Sequence, residues 1–290
     1  MLRDSDIAMY HAKTHDRGSF AMFDVAMRDS AVARLGLQSE IRQALDRDEF
    51  EVHYQPIVKL DAHGTDHFEA LVRWRHPRRG LLRPIEFLPD TEEIGLIVTL
   101  GRWIIEDVCR QIAEWQRSYD GVVRVSINIS HREFEDARLL DHILDCLASH
   151  HLVPANLIVE ITEGVIRRKP EMAFAVIGMM HAAGIGVEIA GVGTGMSSLQ
   201  ALHLFPIEAL KIDRSFIRDL EVDPRISTLV QIILDMGEAL GFDLVAEGVE
   251  TAGQVELLRG MGCRTAQGFW FTEPVDGTRA AKLLGRQLPV

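Results

Sequence analysis

The sequence predicts an α/β fold, an irregular (β/α)8 barrel of the TIM type whose first strand runs antiparallel to the rest. Three observations carry this. From residue 49 onward short apolar runs alternate with helical stretches, giving eight strand candidates over about 240 residues, the size of such a barrel. The link between the first two candidates, residues 58–66, is too short for a crossover helix, so those two are expected to run antiparallel. Polar side chains recur at the C-terminal ends of the strands, where barrels of this kind place their chemistry. An open doubly wound sheet is the competing architecture, but no Gly-rich dinucleotide turn follows the first strand.

In chain order, residues 1–24 hold one helical stretch, Asp6–Lys13, and one short apolar run, Ser19–Phe23, separated by the turn Asp16-Arg17-Gly18. One helix and one strand cannot bury their apolar faces alone, so they read as the last elements of a preceding domain. Residues 25–48 read as a linker helix, with Val32, Leu35, Ile41 and Leu45 approximating one apolar face and Gly36 weakening the pattern. The barrel is expected over 49–290. Its strands are Phe50–Pro56, Phe68–Trp74, Val122–Ser130, Leu157–Thr162, Ile185–Ala190, Ile207–Ile212, Asp243–Val249 and Thr265–Phe271. Between them run helical patterns such as Leu100, Ile104, Val108, Ile112, Trp115 and Ile226, Leu229, Val230, Ile233, Leu240.

The 290 residues are 47% hydrophobic, enough for a sizeable core. A formal charge of −12 disfavours unspecific binding to DNA or anionic lipid, while leaving room for a small anion held by a local basic group. The three cysteines, Cys109, Cys146 and Cys263, have no metal-type spacing, and so sparse a set fits a reducing, cytoplasmic setting. No apolar run approaches the roughly 18 residues of a membrane span, and the first residues do not read as a signal peptide.

The chemistry sits at the strand ends. The second strand offers Glu69, then Arg73; the third Asn128; the fourth Glu160 and Glu163; the sixth Lys211 and Asp213; the seventh Glu247 and Glu250; the eighth Gln267. Polar side chains inside apolar strands are costly to bury unless paired or bound to a metal. Carboxylates with an amide oxygen are hard-oxygen donors suited to Mg²⁺ or Mn²⁺. A neighbouring lysine suits a phosphoryl oxygen or an attacking hydroxide, and the set points to metal-assisted phosphodiester hydrolysis. Only the fifth strand ends without such a group, in Ala190 and Gly191.

Seven separate motifs then stand in order: Tyr54-Gln55-Pro56-Ile57, Phe68-Glu69-Ala70-Leu71-Val72-Arg73-Trp74, Ser126-Ile127-Asn128, Glu160-Ile161-Thr162-Glu163, Lys211-Ile212-Asp213, Ala246-Glu247-Gly248-Val249-Glu250 and Gln267-Gly268-Phe269. On these, residues 30–290 resemble an EAL domain, the phosphodiesterase family acting on cyclic di-GMP. The resemblance implies two metals at the C-terminal mouth. Glu69, Asn128 and Glu160 would hold one, with Asp213 and Glu250 around the second. Lys211 and Glu247 would orient or deprotonate the attacking water. Gln55, Leu71, Arg73 and the stretch Gln267, Gly268 to Pro274 would contact the nucleotide, Arg73 through a phosphate. Glu163, with Thr194 and Ser197, would anchor the loop after strand five, a region through which family members often dimerise, so a homodimer is expected. Residues 1–24 resemble the end of a GGDEF domain, which implies a GGDEF–EAL protein.

One departure matters. Active members end strand five in Asp-Asp-Phe-Gly-Thr-Gly-Tyr-Ser-Ser-Leu, the first Asp bridging the metals and the second helping to hold one. Here the stretch reads Ala190-Gly191-Val192-Gly193-Thr194-Gly195-Met196-Ser197-Ser198-Leu199. Glu188 shares the face of Ala190 but sits roughly 6–7 Å lower on the strand, a poor substitute. Two close dications without a bridging anion repel at low dielectric, so at most one site is expected to fill well. The expectation is a catalytically impaired domain that still receives cyclic di-GMP or regulates a GGDEF partner. The alternatives are an active phosphodiesterase making linear pGpG with a single metal, and a ligand-free dimerisation or docking module.

Overall fold

The structure is a computed structural model that describes residues 25–61, 65–192, 204–286 and 288, with side chains from residue 36. The expectation for residues 1–24 lies outside the described residues, as do Thr194 and Ser197. The strands are β1 (Phe50–Lys59), β2 (His67–His76), β3 (Gly80–Leu82), β4 (Arg124–Asn128), β5 (Leu157–Thr162), β6 (Gly186–Val192), β7 (Ala209–Ile212), β8 (Asp243–Glu247), β9 (Thr265–Gln267) and β10 (Val275–Asp276). The helices are α1 (Val25–Asp46), α2 (Leu88–Glu93), α3 (Ile97–Gln116), α4 (His131–Phe134), α5 (Leu139–Ser149), α6 (Glu163–Arg168), α7 (Pro170–Ala182), α8 (Arg214–Arg218), α9 (Pro224–Leu240), α10 (Ala252–Gly260) and α11 (Gly277–Ala281).

The sheet order is β10-β1-β9-β8-β7-β6-β5-β4-β2-β3, and a further β1–β2 pairing closes it. Eight strands form the barrel, with β3 and β10 as additions that the sequence reading did not include. Neighbours from β2 through β9 run parallel, while β1 pairs antiparallel with β9 through Val58 opposite Ala266. The antiparallel first strand is therefore as expected. β6 is the fifth barrel strand and runs two residues past its expected end, to Val192, with a register shift against β7 between Ile189 and Val192.

The described residues divide into two compact units, one from residues 25–51 with 73–97 and one from residues within 52–72 and 98–288. In the smaller unit α1 runs straight through Gly36, contrary to the weakness that residue implied, and buries Leu37, Ile41 and Ala44. Trp74 stacks at 5.6–5.8 Å from Phe50 and Phe87, and its indole N–H donates to Glu49 Oε2 at 3.0 Å. His76 Nε2 meets Glu40 Oε2 at 2.9 Å, and Glu40 also takes Arg78.

In the larger unit the main core lies between the outer strand faces and the helices. Val125, Ile127, Val159, Ile161, Val187, Ile189, Leu210 and Ile212 face outward onto it. Helix α3 packs into this core with Ile105, Val108, Ile112 and Trp115, a spacing of three and four that keeps one face apolar. Helix α9 does the same with Val230, Ile233, Leu234 and Gly237. Leu229 and Leu240, grouped with that face on sequence, are exposed, because they lie about a quarter turn round the helix from its centre. Alternate residues of each strand point into the barrel. Ile57, Ala209 and Val245 form a small apolar cluster there, sharing strand faces with Gln55, Lys211 and Glu247.

Candidate active site

Those inward-facing positions build the site. β4 contributes Asn128, β5 Glu160, β7 Lys211, β8 Glu247 and β9 Gln267, each at or near the C-terminal end of its strand, while Glu69 and Gln55 come from within the ten-residue strands β2 and β1. Lys211 is the centre. It is fully buried, and its Nζ lies 3.0 Å from Glu69 Oε2, 2.7 Å from Glu160 Oε2 and 2.8 Å from Glu247 Oε1. Asn128 Nδ2 donates to Glu69 Oε1 at 2.7 Å, and Gln267 Nε2 to Glu69 Oε2 at 2.7 Å.

This packing separates the carboxyls. Burial alone would push Glu69 up, but the Lys211 charge and the bonds from Gln267, Asn128 and Lys211 outweigh it and hold the group below its ordinary value. Glu160 goes well above, because burial and the Glu69 charge exceed what Lys211 returns. Glu247 is raised by burial, with Lys211 offsetting part and Asp213 adding to the rise. For Lys211, burial favours the neutral amine, yet Glu160, Glu69, Glu247 and Glu188 together hold the ammonium charged far past the usual range.

Oxygens of Glu69, Glu160 and Glu247 lie within 4.8 Å of one another, the one such acidic set among the described residues. Three hard oxygens at that spacing fit one divalent cation. The set includes Glu247, which the sequence assignment gave to the attacking water; the amide Asn128, assigned beside Glu69 and Glu160, adjoins it through Glu69. Asn128 is exposed and turns its Nδ2 to Glu69. Asp213 caps α8, accepting from Ser215 N–H at 2.8 Å, and Glu250 is exposed beside the α10 cap, its N–H bonded to Gln254 Oε1 at 2.7 Å. Both stand outside the three-carboxylate set.

Ala190 and Gly191 are half-buried at the end of β6, and Gly191 takes a φ of 74°, the left-handed region. Glu188 is 2% exposed and bonded one layer below the cluster. Ser126 Oγ donates to its Oε2 at 3.0 Å and lies 2.7 Å from His67 Nε2. A hydroxyl has one proton, so with that proton on Glu188 the His67 Nε2 must carry its own. Burial, with the charges of Arg124 and Lys211, keeps His67 well below its ordinary value and therefore neutral. Burial pushes Glu188 up. This His–Ser–Glu layer was not foreseen; the only signal was the period-two spacing of His67 to Glu69 and Ser126 to Asn128.

Of the expected nucleotide contacts, Gln55 and Gln267 are buried and bonded to each other at 3.0 Å. Gly268 packs against the Glu247 loop so closely that a Cβ would lie 2.0 Å from the Val249 carbonyl oxygen, which no side chain allows. Leu71 is half-buried and Pro274 carries a carbonyl 3.3 Å from His53 Nδ1. Arg73 is buried and belongs to the smaller unit. Glu163 is buried in the first turn of α6.

Comparison with known proteins matches residues 38–274 to the EAL domain family. The bifunctional diguanylate cyclase/cyclic di-GMP phosphodiesterase MucR of Pseudomonas aeruginosa is 38% identical over 275 residues, 95% of this chain and 40% of that protein. The cyclic di-GMP phosphodiesterase PdeR of Escherichia coli is 39% identical over 289 residues, 99% of this chain and 43% of that protein. The chain thus spans about two fifths of the length of these relatives. Among solved structures, the PaMucR phosphodiesterase in complex with c-di-GMP superposes with a TM-score of 0.82 at 37% identity, covering 84% of this chain and 99% of that one. With its barrel closed by an antiparallel first strand and its acidic groups gathered around Lys211, the chain belongs to the EAL domain family.

Proposed function

We propose that this chain is a catalytically impaired EAL domain that serves as a cyclic di-GMP receptor, or as a regulatory module beside a GGDEF domain of the same protein. One observation carries the reading. The fifth barrel strand ends in Ala190 and Gly191, where the family motif has two aspartates, while the acidic and amide groups of the other strands persist. The ligand class is taken from the relatives, among them a phosphodiesterase bound to c-di-GMP at 37% identity. The GGDEF partner is taken from residues 1–24, read as the end of such a domain, followed by the linker 25–48 and the barrel 49–290. It is supported by the longer, bifunctional relative.

The residues present fit one Mg²⁺ or Mn²⁺ at Glu69, Glu160 and Glu247. Such an ion supplies Lewis acidity toward a phosphoryl oxygen and lowers the pKa of water. The chain's own part is separate. Lys211 keeps the carboxylates gathered, and Glu247, 23% exposed at its side chain, is the open member of the set, able to take a proton at its free oxygen. A second cation beside the first lacks the two aspartates that would hold it and screen the repulsion. Turnover of cyclic di-GMP is expected to fall several orders of magnitude below that of an intact member.

Calorimetric titration with cyclic di-GMP, with and without Mg²⁺, and product analysis of the same samples test this. Binding without product supports the receptor. Production of linear pGpG that Glu69→Ala abolishes establishes instead the phosphodiesterase with a single cation, the reading favoured by the convergence of three carboxylates. No heat of binding at high micromolar ligand in low salt leaves a dimerisation or docking module.

A further inference from the structure

A directed chain of hydrogen bonds runs from the loop after β9 through Gln55 and Gln267 to Glu69. Gln55 Nε2 donates to the Thr272 carbonyl at 3.1 Å, in the loop that follows β9. Gln55 Oε1 accepts from Gln267 Nε2 at 3.0 Å, and the same Nε2 donates to Glu69 Oε2 at 2.7 Å. Gln55 and Gln267 are 7% and 3% exposed.

The direction of this chain is forced. A peptide carbonyl only accepts, so Thr272 requires the amide NH2 of Gln55 and turns Oε1 toward Gln267. That oxygen and the Glu69 carboxylate both only accept, so both demand the NH2 of Gln267. Its two protons are thereby committed, and Gln267 Oε1 is left buried with no partner among the described residues.

We infer that Gln55 is a positioning residue. It holds the loop 268–274 with one end and, through Gln267, Glu69 with the other, so that losing both of its bonds changes the seating of that loop and the aim of a candidate metal-holding carboxylate together. The metal half of this inference rests on the reading of Glu69 proposed above; the loop half does not. Groups that orient a metal-holding side chain from behind typically change metal affinity about 10- to 100-fold when removed.

The test compares wild type, Gln55→Leu and Gln55→Glu by Mn²⁺ titration read by electron paramagnetic resonance. It also follows hydrogen exchange of the metal-free proteins at Trp270 and Phe271, whose amides bond to Val249 O at 2.9 Å and Gly268 O at 3.2 Å. Gln55→Leu is expected to weaken Mn²⁺ by about tenfold and to speed loop exchange, with exchange in β4 and β5 unchanged. Gln55→Glu still accepts from Gln267 but cannot donate to Thr272. It should speed loop exchange and hold Mn²⁺ at least as well as wild type. If Gln55→Leu changes the loop or the metal but not both, the coupling is wrong. If wild type binds no Mn²⁺, the metal reading of the glutamate cluster fails by itself. Loop exchange in Glu69→Ala then decides: faster exchange keeps the tie between Glu69 and the loop, and unchanged exchange overturns it.

Discussion

At Lys211 three glutamate oxygens within 3.0 Å surround an ammonium with no solvent exposure. Lys211→Met keeps the volume and removes the charge, leaving Glu69 and Glu160 buried without their counter-ion. Breaking a buried ion pair from one side costs about 3–5 kcal/mol, so thermal unfolding at neutral pH should shift down by at least about 6 °C. Added Mg²⁺ should recover part of that loss, since a cation can then sit among the carboxylates. An unshifted melting temperature would show that the cluster is not ion-paired in solution. Glu188 should behave in the opposite way. Its folded pKa is raised by burial, so ionisation is costlier in the fold than in the unfolded chain. The penalty is absent below the ordinary carboxylate pKa, grows as pH rises above it, and levels off past the folded pKa. Glu188→Gln still accepts from Ser126 and carries no charge. It should therefore melt higher than wild type at pH 7–8, by about 2–4 °C for each kcal/mol recovered, with the gain shrinking toward pH 4. A gain that grows on acidification would contradict the sign.

Strand β6 explains why the two lost aspartates are not equivalent. Both lie in the register shift between Ile189 and Val192, but Ala190, on the face of Glu188, still pairs with Thr162 of β5, whereas Gly191 alone takes a φ of 74°. An L side chain in that region costs about 1–2 kcal/mol, toward the lower end for Asp. Ala190→Asp is therefore expected to tighten Mn²⁺ at least about tenfold, because a unit charge 4 Å away at an effective dielectric of 20 is worth about 4 kcal/mol. Gly191→Asp should lower the melting temperature and gain less affinity. Equal behaviour in Mn²⁺ titration and thermal unfolding would mean that the β6 bend follows from the glycine and is not imposed by the barrel. The same strand shows what was legible beforehand. The run Val187 to Ala190 announced a buried strand by its apolar, β-branched residues, as did the others, and the polar residue ending each run announced the site. Strand ends were not legible: Phe269, Trp270 and Phe271 favour an extended run from Thr265 to Phe271, yet the close approach of Gly268 to Val249 stops β9 at Gln267. β3 and β10 span three and two residues, too short for any period. The tie of Gln55 to Gln267 joins residues 212 apart, and that of His67 to Ser126 residues 59 apart. Pairing of strands far apart in sequence creates both, β1 with β9 and β2 with β4, and local pattern gives at most the face each residue takes, not its partner.

Across the whole molecule the three thiols offer a reporter of how the barrel unit holds together. Cys109 on α3, Cys146 on α5 and Cys263 after α10 are all buried. Burial pushes the first two up to about 12 and raises the third, so none is a thiolate at neutral pH. Reaction with a thiol reagent therefore requires opening, and Cys109 and Cys146, both in the main core, should open only with it. When reclosing outruns labelling, the rate follows the open fraction. A ligand that binds only the folded barrel lowers that fraction by 1 + [L]/Kd, so cyclic di-GMP at 100 times its Kd should slow labelling of both thiols about 100-fold. Three hypotheses then separate in one experiment. A receptor gives this slowing in chelator, because the lost aspartates are not needed to seat guanine or phosphate. A phosphodiesterase with a single cation gives it only when Mg²⁺ is present, and loses it as substrate is consumed. A docking module gives no change at any concentration. Slowing confined to one of the two cysteines would mean that helices α3 and α5 open separately, and the barrel unit would then not be a single cooperative body.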